Sequence, residues 1–355
     1  MILRSVLILI VLGTFCGCGK KPDGDQPRAS TSGREAVTRN TNGAALSSEL
    51  LSNLVPISTS HSETTNGGVG RVATDRELPA NVTNVVAAPP KPPAPAQDIY
   101  DHGVAVLRTN STSAATEEAL ILFRAAAEKG NPSAQHALGV AYLGGLGIKK
   151  DVEQGLAWLE KSAAQKNPEA LFKLASLRAR GIELPRDDAK AAELARAAAE
   201  QGHVEAEYNL ATLYATGRGV PKDIKEAAKW YQKAAEAGHP IAQANLGVLY
   251  ATGDGVEKSQ PEALKWWRKA AEQGQRSAQF NLAHALREGK IIPQDLVEAY
   301  KWYNLAAEQG DEDAAIARDA MAVDLSPAVM ATALRRAREF KTSLYAKAQE
   351  RRPVF

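Results

Sequence analysis

The chain repeats itself every 36 residues without a gap, and no other feature of the sequence constrains the fold as strongly. Five aligned units begin at Asn131, Asn167, His203, His239 and Gln275. A unit of this length holds two short helices, which cannot bury their apolar side chains alone. Stacked units bury a continuous core, so the period predicts an all-α solenoid of helix-turn-helix repeats.

The first half of each unit has the residue columns of one helix, which we name helix A. An Ala column is followed four residues later by a Leu column, so both lie on one helical face. The Ala column is Ala134, Ala170, Ala206, Ala242 and Ala278, and the Leu column is Leu138, Leu174, Leu210, Leu246 and Leu282. A Gly column then permits the left-handed C-terminal cap (Gly145, Gly181, Gly217, Gly253 and Gly289).

The second half of each unit predicts helix B, which begins after an N-capping residue (Asp151, Asp187, Asp223, Ser259 and Asp295). Gln or Glu three residues later predicts a capping box in four of the five units. A Trp column follows, in which the second unit departs from the others (Trp158, Leu194, Trp230, Trp266 and Trp302). The adjacent residues Tyr231, Trp267 and Tyr303 are expected to be half-buried on the convex side.

The string A-Q-x-N-L-G-x-x-Y-x-x-G-x-G-V, followed by a capping acid and K-W-Y/W-x-K-A-A-E-x-G, resembles the Sel1-like repeat, a relative of the tetratricopeptide repeat. Tetratricopeptide repeats differ in having a period of about 34 residues. The resemblance implies a right-handed superhelical solenoid with helix A on its concave face. Residues 131–310 hold the five repeats, 95–130 a degenerate N-terminal capping repeat, and 311–350 C-terminal capping helices.

The N-terminus predicts an exported and lipid-anchored chain. Residues 1–17 have one positive charge, a short apolar run and small residues, as in a secretory signal. The segment ending in Cys18 resembles a bacterial lipobox, which predicts lipidation of Cys18 at the outer membrane or the outer face of the cytoplasmic membrane. An ordinary secretory signal and an uncleaved anchor are the alternatives. Residues 18–94, rich in Pro, Ser, Thr and Asn, predict a disordered linker.

Patterns typical of catalysis are missing from the sequence. It has no Ser-x-x-Lys, His-Glu-x-x-His, phosphate-binding loop or Cys–His pair. The net charge of +2 does not indicate nucleic-acid binding, and nothing predicts a metal or cofactor. We therefore predict a protein that binds a protein or peptide partner. Because some Sel1-like proteins are reported to bind penicillin or hydrolyse β-lactams weakly, a cell-wall enzyme, or a regulator of one, is the alternative.

A polar column on helix A is the predicted partner-binding groove. Asn209, Asn245 and Asn281 recur in register, with Lys173 in the same column of the second repeat. Aromatic residues run beside them (Phe172, Tyr208 and Phe280). An amide row next to aromatic rings can hold an extended peptide backbone. The alternative is that the Asn side chains form hydrogen bonds between repeats and that the aromatic rings fill gaps.

The six His residues are scattered over the sequence, and four of them lie on the repeats. His203 and His239 occupy the first position of their units, where we expect them to cap helix A or to be solvated. His136 and His284 lie on helix A, where we expect surface side chains rather than ligands.

Overall fold

The computed structural model describes residues 95–109 and 112–350. Within these residues the chain forms fourteen helices and no strand. They are α1 (Ala96–Thr109), α2 (Ser113–Glu128), α3 (Pro132–Gly144), α4 (Val152–Ala164), α5 (Pro168–Arg180), α6 (Asp188–Ala199), α7 (Val204–Thr216), α8 (Ile224–Glu236), α9 (Pro240–Thr252), α10 (Gln260–Glu272), α11 (Arg276–Glu288), α12 (Leu296–Glu308), α13 (Glu312–Asp324) and α14 (Pro327–Glu350). The predicted signal segment 1–17, the predicted linker 18–94 and Cys18 lie outside the described residues.

Each helix from α1 to α12 packs on the helix before and after it in the chain, which is the contact pattern of a solenoid. The last two helices, α13 and α14, both pack on α12. The predicted all-α solenoid is therefore confirmed. Its buried apolar residues form four clusters along the solenoid. The fully buried Leu138, Leu210, Leu246 and Leu282 mark the predicted Leu column in four of the repeats.

Side chains cap helix A at its start and glycine ends it. In the five central repeats the first residue accepts a hydrogen bond from the backbone N–H three residues later (Asn131, Asn167, His203, His239 and Gln275). Of the two roles expected of His203 and His239, capping or solvation, the structure shows capping. Each of these helices ends at a Gly with positive φ, a conformation that costs Gly little because it has no Cβ.

Helix B begins with only half of the predicted capping box. In the third repeat the Glu226 backbone N–H donates to the Asp223 side chain at 3.0 Å, as expected. The Asp223 backbone N–H, however, donates to the Tyr214 carbonyl of helix A at 3.0 Å. Glu226 therefore pairs with Lys229 instead. The predicted reciprocal bond from the Asp223 N–H to the Glu226 side chain is therefore wrong, because that N–H already donates to the Tyr214 carbonyl.

A buried Gln of helix A joins neighbouring repeats. Gln135, Gln243 and Gln279 each donate to a helix-B carbonyl of the preceding repeat, at 3.1, 3.0 and 3.3 Å. Each also accepts from a Gln at the end of its own helix B, at 2.8 Å. These bonds satisfy buried polar groups at the junction between repeats. The same column holds Leu171 and Glu207, so the second and third repeats lack this amide.

The aromatic column of helix B is buried between helices. Tyr231, Trp267 and Tyr303 are at most 8% exposed. Their rings face helix A: the Tyr231 and Tyr208 centroids are 6.0 Å apart, and those of Tyr303 and Phe280 are 5.7 Å apart. The expectation of a half-buried convex column is therefore wrong, because the 36-residue register places this column on the inner face of helix B.

Candidate partner-binding site

The four polar residues of the predicted groove do not share one environment. Asn209 and Asn281 are half-buried, whereas Asn245 is only 8% exposed. Lys173 is half-buried on α5, where its charge lowers the pKa of His136. The row therefore has the predicted register, but its members differ in how far a partner could reach them.

Asn245 has a partner inside the protein. Its side chain hydrogen-bonds the hydroxyl of Tyr231, which lies 3.1 Å from the Thr212 hydroxyl. Burial raises the pKa of Tyr231 to about 12. The Tyr231 hydroxyl thus joins its own helix A, through Thr212, to helix A of the next repeat, through Asn245. This geometry favours the structural alternative for Asn245.

The aromatic residues beside the row stack on the His caps of the following repeat. The Phe172 and His203 ring centroids are 4.6 Å apart, and those of Tyr208 and His239 are 4.5 Å apart. Each capping His therefore covers the ring of the preceding repeat as well as starting its own helix. Phe280 instead packs edge-on against Tyr303.

His136 occupies the column of Phe172 and Tyr208, and it is buried rather than on the surface as expected. Burial and the Lys173 charge lower its pKa from 6.5 to about 4. The expectation failed because α3 is covered by its neighbours on every side, so that all residues from Ala134 to Tyr142 are buried.

A cavity of about 500 Å³ lies between α5 and α6 of the second repeat and α7 of the third. Its apolar wall includes Ala175, Ala191, Ala195 and Leu213. Tyr208 and Asn209 of the predicted groove also line it, so the structure brings these two candidates into one site. The volume falls in the range of sites that bind small molecules.

Three arginines line the same cavity: Arg180, Arg186 and Arg218. Asp188 forms ion pairs with Arg186 and Arg218, both at 2.7 Å. The hydrogen bond from Arg218 is the main cause that holds the pKa of Asp188 below its ordinary value. Arg180 is exposed and forms no ion pair among the described residues. The cavity therefore has an apolar wall and a positively charged rim.

The cavity exists because the second repeat lacks a large side chain. Ala195 occupies the column of Tyr231, Trp267 and Tyr303, and Leu159 occupies it in the first repeat. The buried apolar cluster around Ala195 is correspondingly small, comprising Ala175, Ala192, Ala195 and Leu213. The sequence showed that this repeat is degenerate, because Leu194 replaces Trp. It did not show that the adjacent Ala195 leaves a cavity.

The chemistry of the cavity suits binding. Ser176 is the only hydroxyl side chain of its lining apart from Tyr208, and no His, Asp, Glu or Cys lines it. A general base for Ser176 is thus missing from the lining. Elsewhere in the described residues, no cluster of three or more His, Cys, Asp or Glu could hold a metal ion. None of the described helices combines the length and apolar character needed to cross a membrane.

Comparisons with known proteins agree with this architecture. The family model described as Sel1 repeat matches residues 99–131, 132–167, 168–203, 204–239, 240–275 and 276–311. A protective antigen with an SLR fold, present in uropathogenic Escherichia coli strains, is 32% identical, with a TM-score of 0.60 over 71% of this chain. This chain spans about half of that antigen (54%). A Sel1 repeat protein from Oxalobacter formigenes is 32% identical, with a TM-score of 0.55, covering 61% of this chain and 85% of its own. A search of curated proteins gave no match.

Proposed function

Because the chain belongs to the Sel1 repeat family, we propose that it is an envelope scaffold that binds a protein or peptide through the helix-A face of its solenoid. Sel1 repeat proteins generally mediate protein–protein interaction, and their fold is typically non-catalytic. The cavity shared by the second and third repeats carries the proposal, because it combines an apolar wall, a basic rim and two groove residues, Tyr208 and Asn209.

The envelope location rests on the N-terminal sequence. The lipobox-like segment ending in Cys18 would attach the chain to the outer membrane or to the outer face of the cytoplasmic membrane. The 77 residues from 18 to 94 would then connect the lipid to the repeats. A flexible chain of that length spans roughly 50 Å, so the solenoid could reach partners beyond the membrane surface. Cell-wall enzymes are the partner class that this location favours.

Site-specific crosslinking in intact cells tests the binding face. A photoreactive amino acid replaces Glu205, which is exposed on α7 beside the predicted groove. The matched control replaces Gln232, which is exposed on α8, the helix B of the same repeat. We expect a discrete crosslinked protein from position 205 and none from position 232. Crosslinks from position 232 alone would contradict the proposed face.

A further inference from the structure

We propose that the cavity beside Ala195 is an anchor pocket for one aromatic side chain, carried by an acidic segment of the protein partner. This inference rests on the proposed scaffold function and adds the chemistry that the partner must present. The second repeat, which is the most degenerate of the five by sequence, then has a specific role. It lacks the aromatic ring that the third, fourth and fifth repeats have in this column, and a side chain of the partner fills that space.

The apolar part of the pocket is the space that a ring fills elsewhere in the solenoid. In the next repeat the Tyr231 ring occupies this column and packs 6.0 Å from Tyr208. In the fourth repeat a Cβ on Gly247 would lie 2.5 Å from the Trp267 ring, so that ring lies against the backbone of helix A. Ala195 is too small to fill the corresponding space. An entering ring would gain the contacts with Ala175, Ala191 and Leu213 that the solenoid forms internally in other repeats.

The pocket also holds a hydroxyl where an entering tyrosine would need one. Ser176 occupies the column of Thr212, whose hydroxyl lies 3.1 Å from that of Tyr231. No hydrogen bond from the Ser176 side chain to another described residue is present. A phenol that enters beside Ala195 would place its hydroxyl near Ser176, as Tyr231 does near Thr212. This match favours tyrosine among the aromatic side chains.

Charge indicates an acidic segment. Arg180, Arg186 and Arg218 line the pocket, and one carboxylate, Asp188, pairs with two of them. Arg180 is the surplus charge, and it is specific to this repeat, because the same column holds Thr216, Thr252 and Glu288 in the next three. Guanidinium groups bind carboxylates with paired hydrogen bonds. A carboxylate next to the aromatic residue of the partner would therefore meet Arg180.

The occupant is another molecule rather than the chain's own N-terminal segment. Residues 17–98 contain no Phe, Tyr or Trp, so this stretch has no ring to place in the pocket. Among the described aromatic residues, Tyr345 is 70% exposed, but it lies on the terminal helix α14, which packs on α12. The ring that enters the pocket between α5 and α7 is therefore assigned to a partner.

The test measures peptide binding to the purified protein by fluorescence anisotropy. The probes are fluorescein-labelled pentapeptides: Glu-Asp-Tyr-Glu-Asp, the same peptide with Ala in place of Tyr, and Lys-Lys-Tyr-Lys-Lys. We expect the acidic tyrosine peptide to bind at least 10-fold more tightly than either of the others. Equal affinity for the tyrosine and alanine peptides, or no binding of the acidic tyrosine peptide, would overturn the proposal.

Substitutions at Ala195 and Arg180 locate the binding. Ala195→Tyr fills the pocket with the ring that the third repeat has in this column. It should lower the affinity for the acidic tyrosine peptide at least 10-fold, while the melting temperature stays equal or rises. Ala195→Leu introduces the residue type that the first repeat has at Leu159, and it tests the same space if the tyrosine variant does not fold. Arg180→Ala should lower the affinity for this peptide several-fold. Lys225→Ala, which removes the same charge at an exposed position on α8, should leave the affinity unchanged. Unchanged affinity in both Ala195 variants would overturn the pocket.

Crosslinking separates this inference from the proposed function. If Ala195→Tyr keeps the crosslink from position 205 at full yield, the scaffold proposal stands and the anchor pocket is wrong. If the protein with the photoreactive residue at position 205 and an unchanged Ala195 gives no crosslink, but the peptide binds through the pocket beside Ala195 and Arg180, the pocket stands and the proposed cellular role is wrong. Loss of the crosslink in Ala195→Tyr supports both.

Discussion

The imidazole of His239 stacks on the Tyr208 ring, with centroids 4.5 Å apart and planes inclined by 15°. The same imidazole accepts the Ala242 backbone N–H at its Nδ1, at 3.1 Å. One side chain therefore starts a helix and closes the junction with the preceding repeat. In the first two repeats the capping residue does not have both roles, because Asn131 and Asn167 cap their helices but have no ring to stack on the preceding repeat.

Two substitutions of His239 should separate its cap from its stacking contact. His239→Asn keeps a capping acceptor and loses the ring, so the free energy of unfolding should fall by about 0.5–1.5 kcal/mol. His239→Ala loses both and should cost about 1 kcal/mol more. Urea unfolding of the two variants at one pH measures the difference. Equal midpoints would show that the His side chain does not act as a cap.

The Asn row should divide into a structural and a binding member. Asn245→Ala removes the side chain that bonds the buried Tyr231 hydroxyl, so it should cost about 1–3 kcal/mol of stability. Asn281→Ala, at a half-buried position, should leave the melting temperature almost unchanged. If the row binds a partner backbone, Asn281→Ala should weaken binding by the value of one or two hydrogen bonds, about 1–3 kcal/mol. Intact affinity in Asn281→Ala would remove Asn281 from the binding surface.

Glu207→Gln should stabilise the solenoid, most strongly near neutral pH. Gln at this column donates to a carbonyl eight residues earlier, and an ionised Glu207 cannot donate to the Ala199 carbonyl. Burial raises the pKa of Glu207. The favourable protonated state is therefore fully populated below the ordinary pKa, and its contribution is lost as pH rises through the raised value.

The gain from Glu207→Gln should be about 1 kcal/mol at pH 7 and smaller at pH 4. Urea midpoints of the variant and the unaltered protein at the two pH values give this difference. Glu236→Gln, at an exposed position on α8, controls for the loss of charge and should show no such pH dependence. A gain that is equal at both pH values would contradict the assignment to Glu207 ionisation.

The turn glycines should differ in cost according to what their Cβ would meet. Gly219 has φ of +73°, and its Cβ would overlap the Asp188 carbonyl oxygen of the preceding repeat. Gly238 has φ of +97° with nothing within 4 Å. Gly238→Ala should cost about 1–2 kcal/mol for the left-handed backbone alone. Gly219→Ala should cost clearly more in the same thermal unfolding assay, and similar costs would show that the repeats can separate at this contact.

Lipidation should depend on Cys18 and not on Cys16. Cys18→Ser should abolish incorporation of labelled palmitate and release the protein from membranes, because the predicted acceptor thiol is gone. Cys16→Ser should retain both properties, since Phe15 makes that position a poor acceptor. Equal loss of label in the two variants would contradict the choice of acceptor. Membrane retention of Cys18→Ser would instead indicate an uncleaved anchor.

The sequence by itself determined the repeated architecture. A constant spacing of Ala, Leu, Gly and capping residues fixes where each helix begins and ends, since caps and left-handed glycines act over a few neighbouring residues. The His caps at His203 and His239 could be predicted for the same reason. The half-formed capping box could not, because the Asp223 N–H is taken by Tyr214, which belongs to the other helix of the pair.

Only the tertiary structure decided what lies between the repeats. The sequence pattern does not distinguish His136 and Asn245 from exposed helix-A residues. Both are nevertheless buried, because adjacent repeats pack against them. The cavity has the same origin: Ala195 is an ordinary helix residue by pattern, and its effect depends on the ring that other repeats place there. Burial at a junction depends on the volumes of side chains from separate helices, and these meet only after the units have stacked.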